Sequence, residues 1–257
     1  MKKKFVIETN YARIAENYDK NPLRQKAIDS FIPEIISSHN NNEKIRILDI
    51  ACGTGNYLTK QYENFCGYNI EFFGIDKSYE MIAVAKKKNG DITYLQNNAE
   101  DQVFRNDYFN YIRNEYSFHH FLDKKNVLLT INRILKQNGL FVILNICPDY
   151  IKRNWLYEYF PSSKGIDNKR FIPSMGLFLL LDQCNFEAVM KITTSVARLN
   201  FTNAIRRVKN RDMSQLNLIS EEEYQTGLNR LILDQENKVE YIYDVSILMA
   251  RCRKKKE

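Results

Sequence analysis

A doubly wound α/β fold is predicted for this 257-residue chain, and three observations predict it. Residues 45–57, IRILDIACGTGNY, begin as a branched apolar run and break at Gly53-Thr54-Gly55. That is the pattern of a buried parallel strand turning into a helix, with glycines that let the backbone approach a ligand. A second apolar run, IEFFGID, ends on Asp76, 21 residues after Gly55. A strand, a glycine turn, a helix and a second strand ending in an acid make a nucleotide-ribose site, the acid accepting from ribose hydroxyls. Thirdly, LFVILNI at 140–146 is continuously apolar, as a parallel strand covered on both faces should be.

The nucleoside is narrowed by the glycine spacing. A dinucleotide fingerprint wants G-x-G-x-x-G, and its third position here is Leu58. With no lysine to make a P-loop, NAD and nucleoside triphosphates are disfavoured. LDIACGTG, with Asp49 before the glycines, resembles motif I of the class I S-adenosylmethionine (SAM) methyltransferases. The resemblance continues in order through GID at 74–76, NNAED at 97–101, FNYIRNEYSFHHF at 109–121 and RILKQNGLFVI at 133–143. It implies a Rossmann-like seven-stranded sheet with strand seven antiparallel, and SAM as cofactor with S-adenosylhomocysteine as product. The cofactor-binding positions it implies are Asp49, Ala51, Gly53, Gly55, Asp76, Lys77, Met81, Asn98, Ala99, Glu100 and Asn114. Tyr11 and Tyr18, in NYARIAENYDK, match a tag that closes over SAM in small-molecule methyltransferases; simple packing on the sheet edge is the other reading. Two positions depart from the family: Asn98 stands for the acid that accepts from the adenine amine, and Asn110 for an acid on strand four. An amide oxygen still accepts a hydrogen bond, without charge assistance.

Composition bounds the partners. Net charge is +7, but removing residues 1–4 and 251–257 leaves 30 basic and 30 acidic residues. The body is neutral and the surplus is expected on mobile tails, against a specific nucleic-acid reader; solubility, or weak polyanion contact, is the expected use of the tails. Five cysteines without a C-x-x-C pair, no apolar leader and no membrane-length apolar run predict a reduced, cytoplasmic protein without structural zinc or any other metal.

Along the chain, Ala27, Phe31, Ile35 and Ile36 predict an amphipathic helix after Pro22, within an N-terminal cap at 1–40. The SAM-binding core spans 45–146. Its first helix runs from Asn56 to about Glu63, and Ser78 or Lys77 caps the second, which Lys86-Lys87-Lys88 closes before Asn89-Gly90. Asp123 caps a helix predicted to run to Asn138-Gly139, with strand five following. Residues 149–173, with the SSKG turn, and 199–238 are expected as insertions of a single domain: a short helix and loop, then a helical segment acting as a lid, a substrate-binding wall or a homodimer contact. Ser174 caps a further helix, and Ser220 with Glu223 forms a capping box. Strands six and seven are FEAVMKITTSVARL and VEYIYDVSILMARC.

The chemistry is expected at the exit of strand four. His119 and His120 adjoin there; one of them acting as general base is one reading, loop support the other. Tyr116, Arg206 and Arg207 are candidate substrate contacts, with Arg211 on the same segment; a solvated, ion-paired face is the competing reading for the arginines. Asn114-Glu115-Tyr116-Ser117 lacks the two prolines of the clamp that methylates exocyclic amines. Cys147-Pro148 lacks the order used by cytosine-5 methyltransferases, so Cys147 is read as a packed cysteine. The expectation is methyl transfer to a small molecule, with an oxygen nucleophile leading and nitrogen or carbon open. Methylation of tRNA or protein, or a non-catalytic SAM-fold subunit, are the alternatives.

Overall fold

The structure, a computed structural model, describes Ala15, Tyr18, Asp19 and residues 25–40, 43–101 and 103–255. Branched apolar runs make the centre of the sheet. Strand β1 (Ile45–Ile50) is buried at every position but Arg46, and parallel neighbours cover both its edges. After it come α1's successor α2 (Asn56–Phe65), β2 (Ile70–Asp76), α3 (Tyr79–Lys88), β3 (Thr93–Gln96), β4 (Phe109–Glu115) and α4 (Lys124–Ile134), with α1 (Phe31–Ser37) preceding. Strand β5 (Leu135–Ile146) leads to α5 (Trp155–Tyr159), α6 (Ser162–Arg170), α7 (Ser174–Gln183) and β6 (Phe186–Arg198). The chain then forms α8 (Phe201–Lys209), α9 (Glu221–Glu236) and β7 (Ile242–Lys254).

The seven strands lie in the order β3-β2-β1-β4-β5-β7-β6, and β3, β2, β1, β4 and β5 are parallel. Strand β7 runs opposite to β5: Cys147 N, just past the end of β5, donates to Ser246 O early in β7, while Gln137 near the start of β5 reaches Lys255 O past its end. Chain order reverses between β1 and β4. Open α/β sheets bind ligands at the carboxyl ends of strands beside such a reversal.

Two compact units divide the described chain. One holds residues up to 145 together with Met175–Lys191 and 249–255, and packs Ile32, Ile47, Leu58, Ala85 and Tyr111 around the sheet. The other holds Ile146–Ser174 and Ile192–Leu248. It has its own apolar core of Trp155, Leu156, Phe160, Phe201, Val208, Leu216 and Leu231. Among the described residues no helix is long and apolar enough to cross a membrane.

Several sequence expectations are corrected. Helix α1 begins at Phe31, and residues 25–29 are not helical, because Asp29 turns inward to a buried polar network. The helix expected to reach Asn138-Gly139 ends at Ile134, and Leu135 already pairs with Phe109. Tyr111 next pairs with Leu140, so a two-residue step in β4 faces a five-residue step in β5 and residues 136–139 bulge out. The SSKG turn lies inside α6. Ser174 is the first residue of α7, and its N–H and Oγ both donate to Asp149 Oδ2, at 2.6 and 2.8 Å. Of the capping box, Ser220 Oγ accepts from Glu223 N (3.2 Å), while Glu223 Oε1 accepts from Ser162 N instead. The basic C-terminal stretch is no mobile tail through Lys255. Arg251 pairs with Glu34, Lys254 with Asp107 and Lys255 with Asp182, on and just past β7.

Candidate active site

The turn after β1 is built from left-handed backbone. Ala51, Gly53 and Gly55 have φ of 59°, 56° and 74°. Ala51 takes that conformation at a cost a glycine would not bear. At Gly55 the space is closed as well: a Cβ would overlap the Tyr94 hydroxyl and stand 3.0 Å from Ala85 Cβ. Gly55 then caps α2 in the left-handed region without a side chain, leaving the first N–H groups of the helix directed at the turn. Leu58, at the third fingerprint position, is fully buried.

Asp76 ends β2 beside this turn. Its Oδ2 accepts from Gly53 N and its Oδ1 from Ser78 N, both at 2.9 Å. Burial raises its pKa, and those backbone donors pull the other way. The Lys77 backbone adds a third donor, and of the roughly four acceptor positions of a carboxylate one remains open. Ser78 Oγ caps α3 by accepting from Met81 N (3.3 Å), and the Met81 side chain is buried. Lys77 offers its carbonyl to Gln96 Nε2. Past β3, Ala99 is buried, Glu100 half-buried and Asn98 exposed. Tyr18 lies over Gly53, its Cε1 4.0 Å from where a Cβ would stand. Tyr11 lies outside the described residues.

Asp49 and Asn114 close the site from β1 and β4. Asn114 is fully buried; its Nδ2 donates to Ile50 O (2.9 Å) and Ser117 Oγ (2.6 Å), while its Oδ1 has no partner among the described residues. Asp49 is buried and takes no hydrogen bond from the described residues. Burial pushes its carboxyl up to about 7; Arg113 lowers it, Glu115 raises it.

Sequence reading missed the network that surrounds Asp49. Asp29 Oδ2 accepts from Tyr57 OH (2.6 Å), Tyr111 OH (2.8 Å) and Arg113 Nη1 (2.8 Å). Arg113 also lies over the Tyr57 ring at 4.3 Å and pairs with Glu115 (3.2 Å), and Lys26 pairs with Glu115. The half-buried Lys26 and Arg113 are therefore paired with Asp29 and Glu115, and Asp49 is left without a hydrogen bond from the described residues. Burial outweighs the pull of Arg113 and Lys26 on its carboxyl, and a further cation brought beside it would favour the ionised form. The signal was present: Arg113 and Glu115, two apart on one face of a doubly covered strand, had to find buried partners. Asp19 was missed too. It accepts from Thr54 Oγ1 and Asn56 Nδ2, both at 2.6 Å, and pairs with Lys88, fastening the N-terminal segment to the glycine turn.

These residues fit SAM. The positive-φ turn leaves backbone where a Cβ would intrude, Asp76 keeps an acceptor position for a diol, and the orphan Asn114 Oδ1 and unpaired Asp49 suit a cationic amino-acid end. At Asn110, which replaces a family acid, Oδ1 accepts from Arg46 N (3.0 Å) and Nδ2 meets His39 Nε2 (2.6 Å). An amide serves both bonds; an ionised carboxylate has no donor for the second unless His39 supplies it.

The exit of β4 holds the remaining predicted residues. Tyr116 has φ 51° and donates its N–H to Leu144 O (2.7 Å). Burial raises its hydroxyl pKa. His119 is buried with Nδ1 3.3 Å from Asn145 Oδ1, and His120 is half-buried with its ring 4.1 Å from that of His119. Arg206 and Arg207 lie on α8, in the other unit. Arg211 there is structural: it pairs with Glu221, donates to Leu216 O and covers the Tyr224 ring at 3.8 Å. Cys147 is buried, its thiol pushed up to about 11 by burial and then by Asp149. All five cysteines are free, and no metal-ligand cluster occurs among the described residues.

Residues 48–143 match the methyltransferase domain family. The chain is 30% identical over 200 residues to the demethylmenaquinone methyltransferase of Thermotoga maritima, covering 74% of this chain and 79% of that one. It is 29% identical over 210 residues to a ubiquinone/menaquinone biosynthesis C-methyltransferase of Rickettsia prowazekii, covering 76% and 79%. The chain is a class I SAM-dependent methyltransferase. Its fold also resembles that of phosphoethanolamine N-methyltransferase 2 of Haemonchus contortus, solved with S-adenosylhomocysteine. The TM-score is 0.59 at 16% identity, over 95% of this methyltransferase and 58% of that chain. The likeness at that identity concerns the fold.

Proposed function

We propose that this methyltransferase alkylates a carbon of an electron-rich, hydroxylated ring in a small molecule. The observation that carries the reading is the 30% identity, over most of both chains, to an enzyme named for methylating demethylmenaquinone. SAM supplies an activated methyl group on a sulfonium. Asp76 holds the ribose diol, with Gly53, Gly55, Lys77, Met81, Asn98, Ala99 and Glu100 around the nucleoside. Asp49 and Asn114 hold the amino-acid end, and Tyr18 covers the glycine turn. The ring carbon forms its bond to the methyl group as the sulfur–carbon bond breaks, the electron pair staying on sulfur. The ring then loses a proton to restore aromaticity. His120 is assigned that proton, because its ring is half-buried while that of His119 is buried against Asn145. His119 and Tyr116 position it. Most of the rate comes from alignment and exclusion of water.

The test is to incubate the protein with SAM and a hydroquinone acceptor and to locate the new methyl group by carbon NMR. A ring C–CH3 supports the reading; an O–CH3 product replaces it with methylation of oxygen, the second reading, favoured by the adjoining histidines. With either product, His120→Gln lowers kcat by about 10²–10⁴ with little change in KM. A native rate and pH profile in that variant removes the general base. Absence of S-adenosylhomocysteine formation with every acceptor turns the reading toward a binding subunit.

A further inference from the structure

The amino edge of the sheet, opposite the site above, carries a cavity of about 900 Å³. Its floor is the bulge of residues 136–139, which the sequence had hidden as a helix end. Bulges re-aim side chains and recur beside functional sites. This one carries Lys136, half-buried and without an ion pair or hydrogen bond to any described residue. Burial lowers its pKa, Arg46 and Arg105 add to that, and Glu43 opposes them. Arg46 and Arg105 stand over the one Tyr108 ring, 4.5 and 4.9 Å from its centre. Arg46 shares Glu71 with Lys44, both at 2.9 Å. Lys254 and Lys255, also at the cavity, are matched by Asp107 and Asp182. What remains is Lys44, Arg46 and Lys136 against Glu43 and the Glu71 that Lys44 and Arg46 share, an excess of one positive charge. That excess favours an anion such as a phosphate group. The rest of the lining is rich in amides: Asn132 and Gln137 use their N–H groups on Asn185 O and Lys255 O, which leaves their carbonyl oxygens as acceptors. A bare phosphate fills little of such a space, and acceptor amides suit hydroxyl groups.

We propose that this cavity binds the phosphate group of a phosphorylated polyol, apart from the methyl-transfer site. Lys136 and Arg46 hold the phosphate, and the amides of Asn132 and Gln137 hold the hydroxyls. The site does not depend on the identity of the methyl acceptor.

Calorimetry of the full chain in low-chloride buffer tests it with three probes: ribose 5-phosphate, inorganic phosphate and ribose. The expected result is saturable single-site binding of both phosphates, tighter for ribose 5-phosphate, and none for ribose. Lys136→Gln should weaken both at least about tenfold, and Lys136→Arg should largely restore them. S-adenosylhomocysteine affinity should be unchanged in either variant, which also checks that they fold. Amide NMR shifts on adding ribose 5-phosphate to the unaltered chain should fall at residues 44–46 and 132–139, independently of any variant. No saturable heat at millimolar phosphate, equal affinity in Lys136→Gln, or shifts centred on residues 49–81 would each overturn the proposal. Inorganic phosphate binding as tightly as the sugar phosphate overturns the polyol part. Tighter binding of a short RNA than of ribose 5-phosphate replaces the small-molecule ligand.

Discussion

Asp49 stands across the β1–β4 register from Arg113, yet Arg113 gives its hydrogen bonds to Asp29 and Glu115. The consequence is a pH-dependent stability. The unfolded Asp49 titrates near 3.8 and the folded one near 7. Between those values the native state holds a proton that the unfolded chain has released. Stability from this group is therefore full below about pH 4 and declines as pH rises to about 7. Asp49→Asn should remove the decline and raise the melting temperature of the unliganded protein near pH 8. The same change should weaken SAM, whose cationic end favours the ionised carboxylate, and should flatten the fall in affinity expected below about pH 7. Calorimetry near pH 6 and pH 8 checks both; a variant with native affinity and native pH dependence would separate Asp49 from the cofactor. Asp29 anchors the neighbouring network. It accepts from Tyr57, Tyr111 and Arg113, so Asp29→Ala leaves two buried hydroxyls unsatisfied and Arg113 with Glu115 alone, and should cost about 1–3 kcal/mol for each hydroxyl in urea unfolding.

At the scale of elements, local chemistry and tertiary demand divide the chain between them. Helix α9 shows a conflict. Gly227 sits mid-helix, where alanine would ordinarily add about 1 kcal/mol. A Cβ there would overlap Tyr159 O and the Phe160 ring, and a backbone carbonyl cannot step aside cheaply. Gly227→Ala should thus destabilise, against its helix propensity, and a higher melting temperature would show that α5 and α9 separate freely. Elements whose signals are local were legible: β2 ends on Asp76 as read, and Ser78, Asp123 and Ser220 accept the N–H groups expected of caps. Elements set by distant partners were not. Residues 135–139 read as a helix end, but Leu135 is fixed by pairing with Phe109, 26 positions earlier. The candidate site divides in the same way. Its backbone turn and Asp76 follow from spacing, whereas Asp19, Asp29 and Lys26 act through contacts between segments that sequence periodicity does not register.

At the scale of the molecule, the two units have separate apolar cores, and only one of them contains Asp49, Asp76 and Asn114. Residues 149–173 and 199–238 share the other core, α5 packing with α9, and α9 with α8, around Phe160, Val208, Leu216 and Leu231. Excising 199–238 alone would strip Trp155, Leu156 and Phe160 of their cover, so a point change is the cleaner probe. Leu231 is fully buried, and Leu231→Ala should cost this unit about 2–5 kcal/mol. Local opening should follow, seen as faster amide exchange across residues 155–170 and 201–236 while the strands β1, β2 and β4 keep their protection. If this unit selects the acceptor, as proposed for these segments from the sequence, turnover and acceptor KM should deteriorate while S-adenosylhomocysteine affinity stays within about twofold, since Asp49, Asp76 and Asn114 belong to the other unit. Faster exchange with unchanged turnover would show that the helical unit has no part in methyl transfer. Loss of cofactor affinity together with exchange in β1 and β2 would show that the two cores unfold as one.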